Sequence, residues 1–268
     1  MRFNSIIYSH YEKEGRILPW RENTEPWGVL VSEFMLQQTQ VSRVESYWKS
    51  WMEKWPTPAC LDKASLEEVL EGWSGLGYNR RALYLKGCAG IITDNFGGEV
   101  PKTQAELLRL PGIGPYCAGA ICCFAYNYPA VFIETNIRSV MLHFFFPGQE
   151  GVKDKEIMPL LEKHMDRKNP RKWYWALMDY GGVLKKHAIN PSRRSAHYTR
   201  QSRFRGSLRQ IRGSLIRSLV HEGPAAPEDL RERLDVEANK EEFYRALIAL
   251  EKESIVAEKN GVYRIKNS

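Results

Sequence analysis

The residues of this 268-residue chain whose types and spacing suit chemistry fall in three short stretches. In Leu107 to Ile121, Leu-Leu-Arg-Leu-Pro-Gly-Ile-Gly-Pro-Tyr-Cys-Ala-Gly-Ala-Ile, two glycines separate apolar helical runs. Glycine permits a tight reversal and close backbone approach, and Pro115 suits the first turn of the next helix. The amides at such a helix start can hold a phosphate, although a Gly-x-Gly between helices can equally be only a turn. Further on, Glu134 follows the apolar Val131-Phe132-Ile133 and opens another helical stretch. A carboxylate there serves either as a cap and dipole partner or as a reacting group. The third stretch, Val31-Ser32-Glu33-Phe34-Met35-Leu36-Gln37-Gln38-Thr39-Gln40-Val41, carries an acid and two amides. Taken singly, Glu33 reads as a surface residue of an amphipathic helix and Gln37 and Gln38 as helix formers.

The formal charge of +7 favours a polyanionic partner. Its distribution is more telling: from Lys185 to Arg217 there are ten Lys or Arg and no acid. That density points to phosphate contact rather than to a merely solvated tail. The five cysteines, Cys60, Cys88, Cys117, Cys122 and Cys123, have no paired spacing that suggests a disulfide framework or a metal site, and read as reduced, mostly buried thiols. No run of about eighteen apolar residues exists, and Met1-Arg2-Phe3-Asn4 lacks a secretory signal, so a cytoplasmic, nucleoid-associated protein without a membrane partner is expected.

The elements that position these stretches are helical. Apolar residues recur at helical spacing, as in Leu66, Val69, Leu70 and Trp73 and again in Leu83, Leu85, Cys88, Ile91 and Ile92. Pro and Gly punctuate them, and strand-like alternation is scarce before residue 250. The spacing predicts a helical domain over 1–205 and a winged-helix-like domain over 206–268. In the latter, Ser207 to His221, Pro227 to Leu234 and Lys240 to Ser254 read as helices and Ile255 to Ile265 as a hairpin with an Asn-Gly turn.

In the form Leu-Pro-Gly-Ile-Gly, the glycine stretch resembles the helix-hairpin-helix motif of base-excision glycosylases. Glu33 to Thr39, with Leu18-Pro19-Trp20-Arg21 upstream and Gly72-Trp73-Ser74-Gly75-Leu76-Gly77-Tyr78 downstream, is similar to the MutY family of adenine glycosylases. The resemblance spans about residues 15 to 205. It implies a mainly α fold with two helical lobes and the active site between them. It also implies removal of adenine mispaired with guanine or 8-oxoguanine in double-stranded DNA, by a chain acting as a monomer. Adenine is a poor leaving group unless protonated, and the sugar leaves through an oxocarbenium-like state, so a proton donor and an opposing carboxylate are wanted. By the resemblance, Glu33 is the donor, Glu134 the carboxylate, Asn136 its support, and Tyr116 the tyrosine that some members place beside the acid. Gln37, Gln38 and Thr39, with Leu76, Gly77 and Tyr78, fall where the duplex is opened and the opposite base read, and Gly112 and Gly114 where phosphate is gripped. Bifunctional relatives carry lysine at position 116; tyrosine forms no Schiff base, so a monofunctional enzyme is expected.

Three departures from the family pattern stand out. Glu134-Thr135 replaces Asp-Gly, moving the carboxylate by about a bond length if nothing else shifts. Where most relatives place four cysteines for an iron-sulfur cluster, after Met178-Asp179-Tyr180-Gly181-Gly182, this chain has Lys185, Ser192, Ser195 and approximately Gln201. No cluster or other metal is therefore expected, and Arg193, Arg194, Arg200, Arg203 and Arg205 are expected to supply the DNA-facing charge instead. Finally, where typical members carry a Nudix-like C-terminal domain, the residues after 205 read as a winged helix. The alternatives are a thymine or uracil mismatch glycosylase, whose members share the hairpin and often the tyrosine, and a catalytically retired DNA-binding protein.

Overall fold

The computed structural model describes residues 3–187, 190–200 and 203–266. The chain is mainly helical and forms two compact units. The first comprises residues 1–29, 101–109 and 113–200; the second comprises 30–100, 110–112 and 201–268.

In chain order the first unit holds α1 (Phe3–Glu14), α2 (Pro19–Glu22) and the start of α3 (Pro26–Leu36). The second holds the rest of α3 with α4 (Val41–Lys54), α5 (Pro58–Lys63), α6 (Leu66–Trp73) and α7 (Arg80–Asn95). The chain then returns to the first unit for α8 (Gln104–Leu107), α9 (Pro115–Tyr126), α10 (Thr135–Phe145), α11 (Asp154–His164), α12 (Pro170–His187) and a 3₁₀ turn, Pro191–Arg194. It ends in the second with α13 (Leu208–His221), α14 (Pro227–Glu232), α15 (Lys240–Lys252), β1 (Val256–Lys259) and β2 (Val262–Ile265).

The core of the first unit is built on α12, whose Trp173 and Tyr174 are fully buried. The Tyr174 ring stacks on Phe132 at 3.9 Å. Its hydroxyl donates to the Ala130 carbonyl (3.1 Å) and accepts from the Phe132 amide (3.2 Å). The extended segment leading into α10 is thus pinned on both backbone groups, which fixes where Glu134 begins that helix. Asp179, also on α12, is buried and receives Arg21 through both guanidinium nitrogens, each at 2.9 Å, and Arg16 at 2.7 Å. The two arginines hold its carboxyl below the usual range against the opposing effect of burial. Buried, it anchors the Leu18-Pro19-Trp20-Arg21 stretch. Gly181 lets α12 and α10 touch: a Cβ there would lie 2.3 Å from the Asn136 carbonyl oxygen.

In the second unit Trp51, Trp55 and Trp73 pack edge to face, with centroids 4.5 and 5.4 Å apart. A Ser65/Glu68 capping box starts α6, and the expected apolar face Leu66, Val69, Leu70 and Trp73 is buried. The segment 206–268 forms the predicted three helices and hairpin, with α13 packed on α6. Asn260 and Gly261 take φ of +56° and +78° at the hairpin turn, as an Asn-Gly turn requires.

Arg81, near the start of α7, is buried at 6% exposure and organises this unit. Its Nη1 donates to the carbonyls of Phe34 (2.7 Å), Met35 (2.9 Å) and Gln37 (2.6 Å). Its Nη2 donates to Thr39 Oγ1 (3.1 Å) and the carbonyls of Leu76 (3.1 Å) and Gly77 (2.8 Å). The guanidinium also lies over the rings of Trp73 and Tyr78, at 5.1 and 5.6 Å. Burial pushes its pKa down to about 10, so it stays charged at neutral pH. Lysine presents three donors from a single atom and cannot serve this fork, and each buried carbonyl left unpaired costs about 1–3 kcal/mol. Arg81→Lys is expected to lower stability by about 3 kcal/mol or more, read from urea denaturation; a midpoint equal to wild type would contradict this role.

Candidate active site

In the first unit the structure brings Glu134, Asn136 and Lys185 together. Glu134 is the N-cap of α10, and its Oε1 accepts the Ile137 amide at 2.7 Å. The longer side chain is thereby folded back over the helix start, at the positive end of its dipole, instead of extending from it. Asn136 Nδ2 donates to Glu134 Oε2 at 3.2 Å, and Lys185 Nζ donates to Asn136 Oδ1 at 2.8 Å. Tyr116, on the first turn of α9, is half-buried, with its ring edge-on to Phe132 at 5.9 Å.

Gly112 and Gly114 form the turn before α9. Gly112 has φ +76° and no room for a side chain, since a Cβ would fall 2.6 Å from the Tyr84 ring. Gly114 is the N-cap of α9, no side chain caps that helix start, and a Cβ on Gly114 would meet nothing within 4 Å. With Pro115 opening the first turn, the geometry suits an anion.

In the second unit Glu33 lies in α3 and is buried at 4% exposure, which removes it from the ordinary surface of an amphipathic helix. Gln37, Gln38 and Thr39 follow the end of α3, and Leu76, Gly77 and Tyr78 form the loop between α6 and α7. Thr39 Oγ1 donates to the Leu76 carbonyl at 3.3 Å, and both loops converge on Arg81. Gln38 and Tyr78 have φ of +57° and +49°, a backbone strain usually confined to glycine or asparagine. Arg209 of α13 donates to the Tyr78 hydroxyl and lies 5.0 Å from its ring centre. A cavity of about 460 Å³ opens here, lined by Gln38, Arg43, Tyr78, Phe204, Arg209 and Arg217.

Sequence reasoning overlooked Arg81, and saw Arg209 and Lys185 only as members of the basic run, Lys185 also standing where the first cluster cysteine belongs. The Arg80-Arg81 pair looks like any basic helix start, and a guanidinium's carbonyl partners are invisible without the fold. The two arginines of the 3₁₀ turn separate. Arg193 is exposed, whereas Arg194 donates to the carbonyls of Phe146 and Leu142 (2.9 Å), covering the C-terminal end of α10.

The family pattern calls for four thiolates from the last turn of α12 onward, and the residues present do not fit an iron-sulfur cluster. Lys185 carries an ammonium bound to Asn136, and Ser192 donates its hydroxyl to Asn190 Oδ1 (2.8 Å). Ser195 Oγ accepts the His197 amide (3.0 Å), while Gln201 lies outside the described residues. Four of the five cysteines are buried in α7 and α9, and Cys60 is exposed in α5. Among the described residues no group of His, Cys, Asp and Glu is placed to hold a metal ion, and no helix is long and apolar enough to cross a membrane. The turn is tied down by backbone pairing of Val152 with Arg194 and Ala196 (3.2 and 2.9 Å) and by the Arg194 cap. Arg194→Ala is therefore expected to cost about 1–3 kcal/mol, measured as an earlier thermal transition; an unshifted transition would remove Arg194 from the scaffold.

Residues 31–167 match the model of the HhH-GPD superfamily of base excision DNA repair proteins. The adenine DNA glycosylase of Mycolicibacterium smegmatis is 38% identical over 229 residues, covering 78% of each chain. That of Mycobacterium tuberculosis is 46% identical over 136 residues, 50% of this chain and 45% of the relative. The human adenine DNA glycosylase is 35% identical over 194 residues, 68% of this chain and 36% of its own. This chain thus matches less than half of the length of the last two. Among solved structures, a thermostable thymine-DNA glycosylase superposes with a TM-score of 0.61 at 25% identity, covering 68% of this chain and 85% of that one. Endonuclease III in a non-covalent DNA complex shares the fold, with a TM-score of 0.56 at 21% identity over 65% and 80% of the two chains. The chain belongs to the MutY-type adenine DNA glycosylase family of the helix-hairpin-helix, or HhH-GPD, superfamily of base excision DNA repair proteins.

Proposed function

We propose that this chain hydrolyses the bond between deoxyribose and adenine mispaired with guanine or 8-oxoguanine, leaving an abasic site. The observation that carries the reading is the oriented carboxylate of Glu134, held on both oxygens by Ile137 and Asn136. The buried Glu33 and the 38% identity to an adenine DNA glycosylase support it.

The base is flipped out of the duplex, which costs a few kcal/mol of stacking and pairing. The phosphate grip at Gly112 and Gly114 and insertion of Gln37, Gln38 and Tyr78 offset that cost. Glu33, carrying a proton, donates it to the adenine ring as the glycosidic bond lengthens, so that a neutral base departs. Positive charge then builds on the sugar, and the Glu134 carboxylate stabilises it and orients the attacking water. Because its donors are in place beforehand, little reorganisation accompanies charge development. Tyr116 offers no amine, so the reaction stops at hydrolysis without strand cleavage. In this reading the chain works as a monomer in the cytoplasm on double-stranded DNA, with neither an iron-sulfur cluster nor another metal. The hydroxyl and guanidinium contacts of 190–196 hold the segment that a cluster shapes in relatives.

The likeness to a thymine-DNA glycosylase makes thymine opposite guanine the second substrate to examine. Single-turnover release from duplexes carrying A, T or U opposite G or 8-oxoguanine, with abasic sites cut by alkali, tests both. Adenine release is expected, and Glu33→Gln should slow it by about 10²- to 10⁴-fold, the usual range for a general acid. Release of thymine alone would replace the substrate assignment, and binding without release of any base would favour a retired DNA-binding protein. Separately, the exposed Arg193, Arg200, Arg203 and Arg205 are expected to contact phosphates. Changing these four to Gln should weaken duplex binding and flatten the slope of log affinity against log salt by about 0.9 for each phosphate no longer neutralised; an unaltered slope would assign the DNA-facing charge elsewhere.

A further inference from the structure

Two of the departures from the family pattern, glutamate at 134 and lysine where the first cluster cysteine belongs, are joined by hydrogen bonds in this fold. The path runs from Lys185 Nζ to Asn136 Oδ1 (2.8 Å), and from Asn136 Nδ2 to Glu134 Oε2 (3.2 Å). Its geometry comes from α12. Gly181 and Lys185 stand one helical turn apart, on one face. The missing Cβ of Gly181 brings α12 against the Asn136 backbone, and Lys185, a turn further on, reaches over the Asn136 side chain.

The chemistry of the three groups permits one arrangement. An ammonium only donates, and an ionised carboxylate only accepts, while an amide does both from opposite ends. Lys185 at Oδ1 therefore forces Nδ2 toward Glu134 and prevents the amide from turning over. With Oε1 on the Ile137 amide, both carboxylate oxygens are then fixed. Burial lowers the pKa of the Lys185 ammonium, the charge of Glu134 opposes that shift, and Arg138 adds to it.

We infer that Lys185 is a positioning residue for the reaction: acting through Asn136, it holds the longer carboxylate of Glu134 in the orientation the developing sugar cation requires. The inference rests on the role proposed for Glu134. It makes the loss of the cysteine and the lengthening of the acid two halves of one local solution.

The test compares single-turnover base release at saturating protein for wild type, Lys185→Met, Lys185→Gln, Asn136→Ala and the double variant Asn136→Ala with Lys185→Met. Thermal melting checks each fold, and Lys185→Ala replaces the Met variant if that one melts early. Lys185→Met should slow release by on the order of 10²-fold, the effect of misplacing a reacting group by about an ångström, while duplex affinity and its salt slope stay at wild-type values. Lys185→Gln, which still donates to Oδ1, should recover most of the rate. The double variant should be no slower than the slower single one, because both changes cut the same path.

An active wild type with an equally active Lys185→Met would overturn the inference alone. Multiplying penalties in the double variant, loss of affinity in place of rate, or Lys185→Gln as slow as Lys185→Met would do the same. So would a borohydride-trapped adduct that disappears in Lys185→Met, which would make the amine a nucleophile. A wild type that releases no base from any duplex would remove the role of Glu134 and this inference together.

Discussion

A helix that ends inside a protein leaves carbonyls that must find donors, and α3 ends beside a loop with the same deficit. Arg81 meets both needs with one side chain. Its fork reaches three carbonyls of residues 34–37, two of residues 76 and 77, and the Thr39 hydroxyl. Planarity and fixed charge make this possible, and the Trp73 ring beneath gives the guanidinium a flat surface to lie on. Much else in the second unit follows from that contact. Gln38 and Tyr78 hold left-handed backbone because the loops on either side of them are clamped, and α13 packs against α6, the helix leading into one of those loops.

The first unit solves a different problem, placing a single carboxylate, and it does so from α12. Tyr174 fixes the segment before Glu134 by ring stacking and by two backbone hydrogen bonds, Gly181 sets the spacing to α10, and Asp179 fastens α12 to the stretch carrying Arg16 and Arg21. One helix face thus serves packing at one turn and, through Lys185 and Asn136, reaches the Glu134 carboxylate at the next.

Much of this was legible in the sequence because it is local. The apolar face of α6, the Ser65/Glu68 capping box and the Asn-Gly turn each follow from residues a few positions apart, whereas of the expected α7 face Leu85, Cys88 and Ile92 are buried and Leu83 and Ile91 only half-buried, Ala82 and Ala89 taking their place. Glu134 as N-cap was legible from its surroundings, and the structure adds a second hydrogen bond to its carboxylate, from Asn136. What stayed hidden is long-range. Arg81 takes its acceptors from as far as 47 residues away, Lys185 pairs with Asn136 across 49, and Arg209 with Tyr78 across 131. Periodicity reports which face of a helix is buried, not which distant carbonyl lacks a donor. A lysine in a basic run therefore read as surface charge, and Arg194 as one DNA-facing cation among five until its helix-end carbonyls were seen.

The tie between Arg209 and Tyr78 joins the C-terminal helices to the loop nearest the cavity. Coupling of this kind is reciprocal. Whatever moves the tyrosine ring must loosen the arginine, and whatever holds the arginine elsewhere must free the ring by the same free energy. The terminal module is in that sense a thermodynamic counterpart of the loop. A group that displaces the ring would weaken the hold of α13 on this loop by the same amount, beside the packing of α13 on α6 that the two already share.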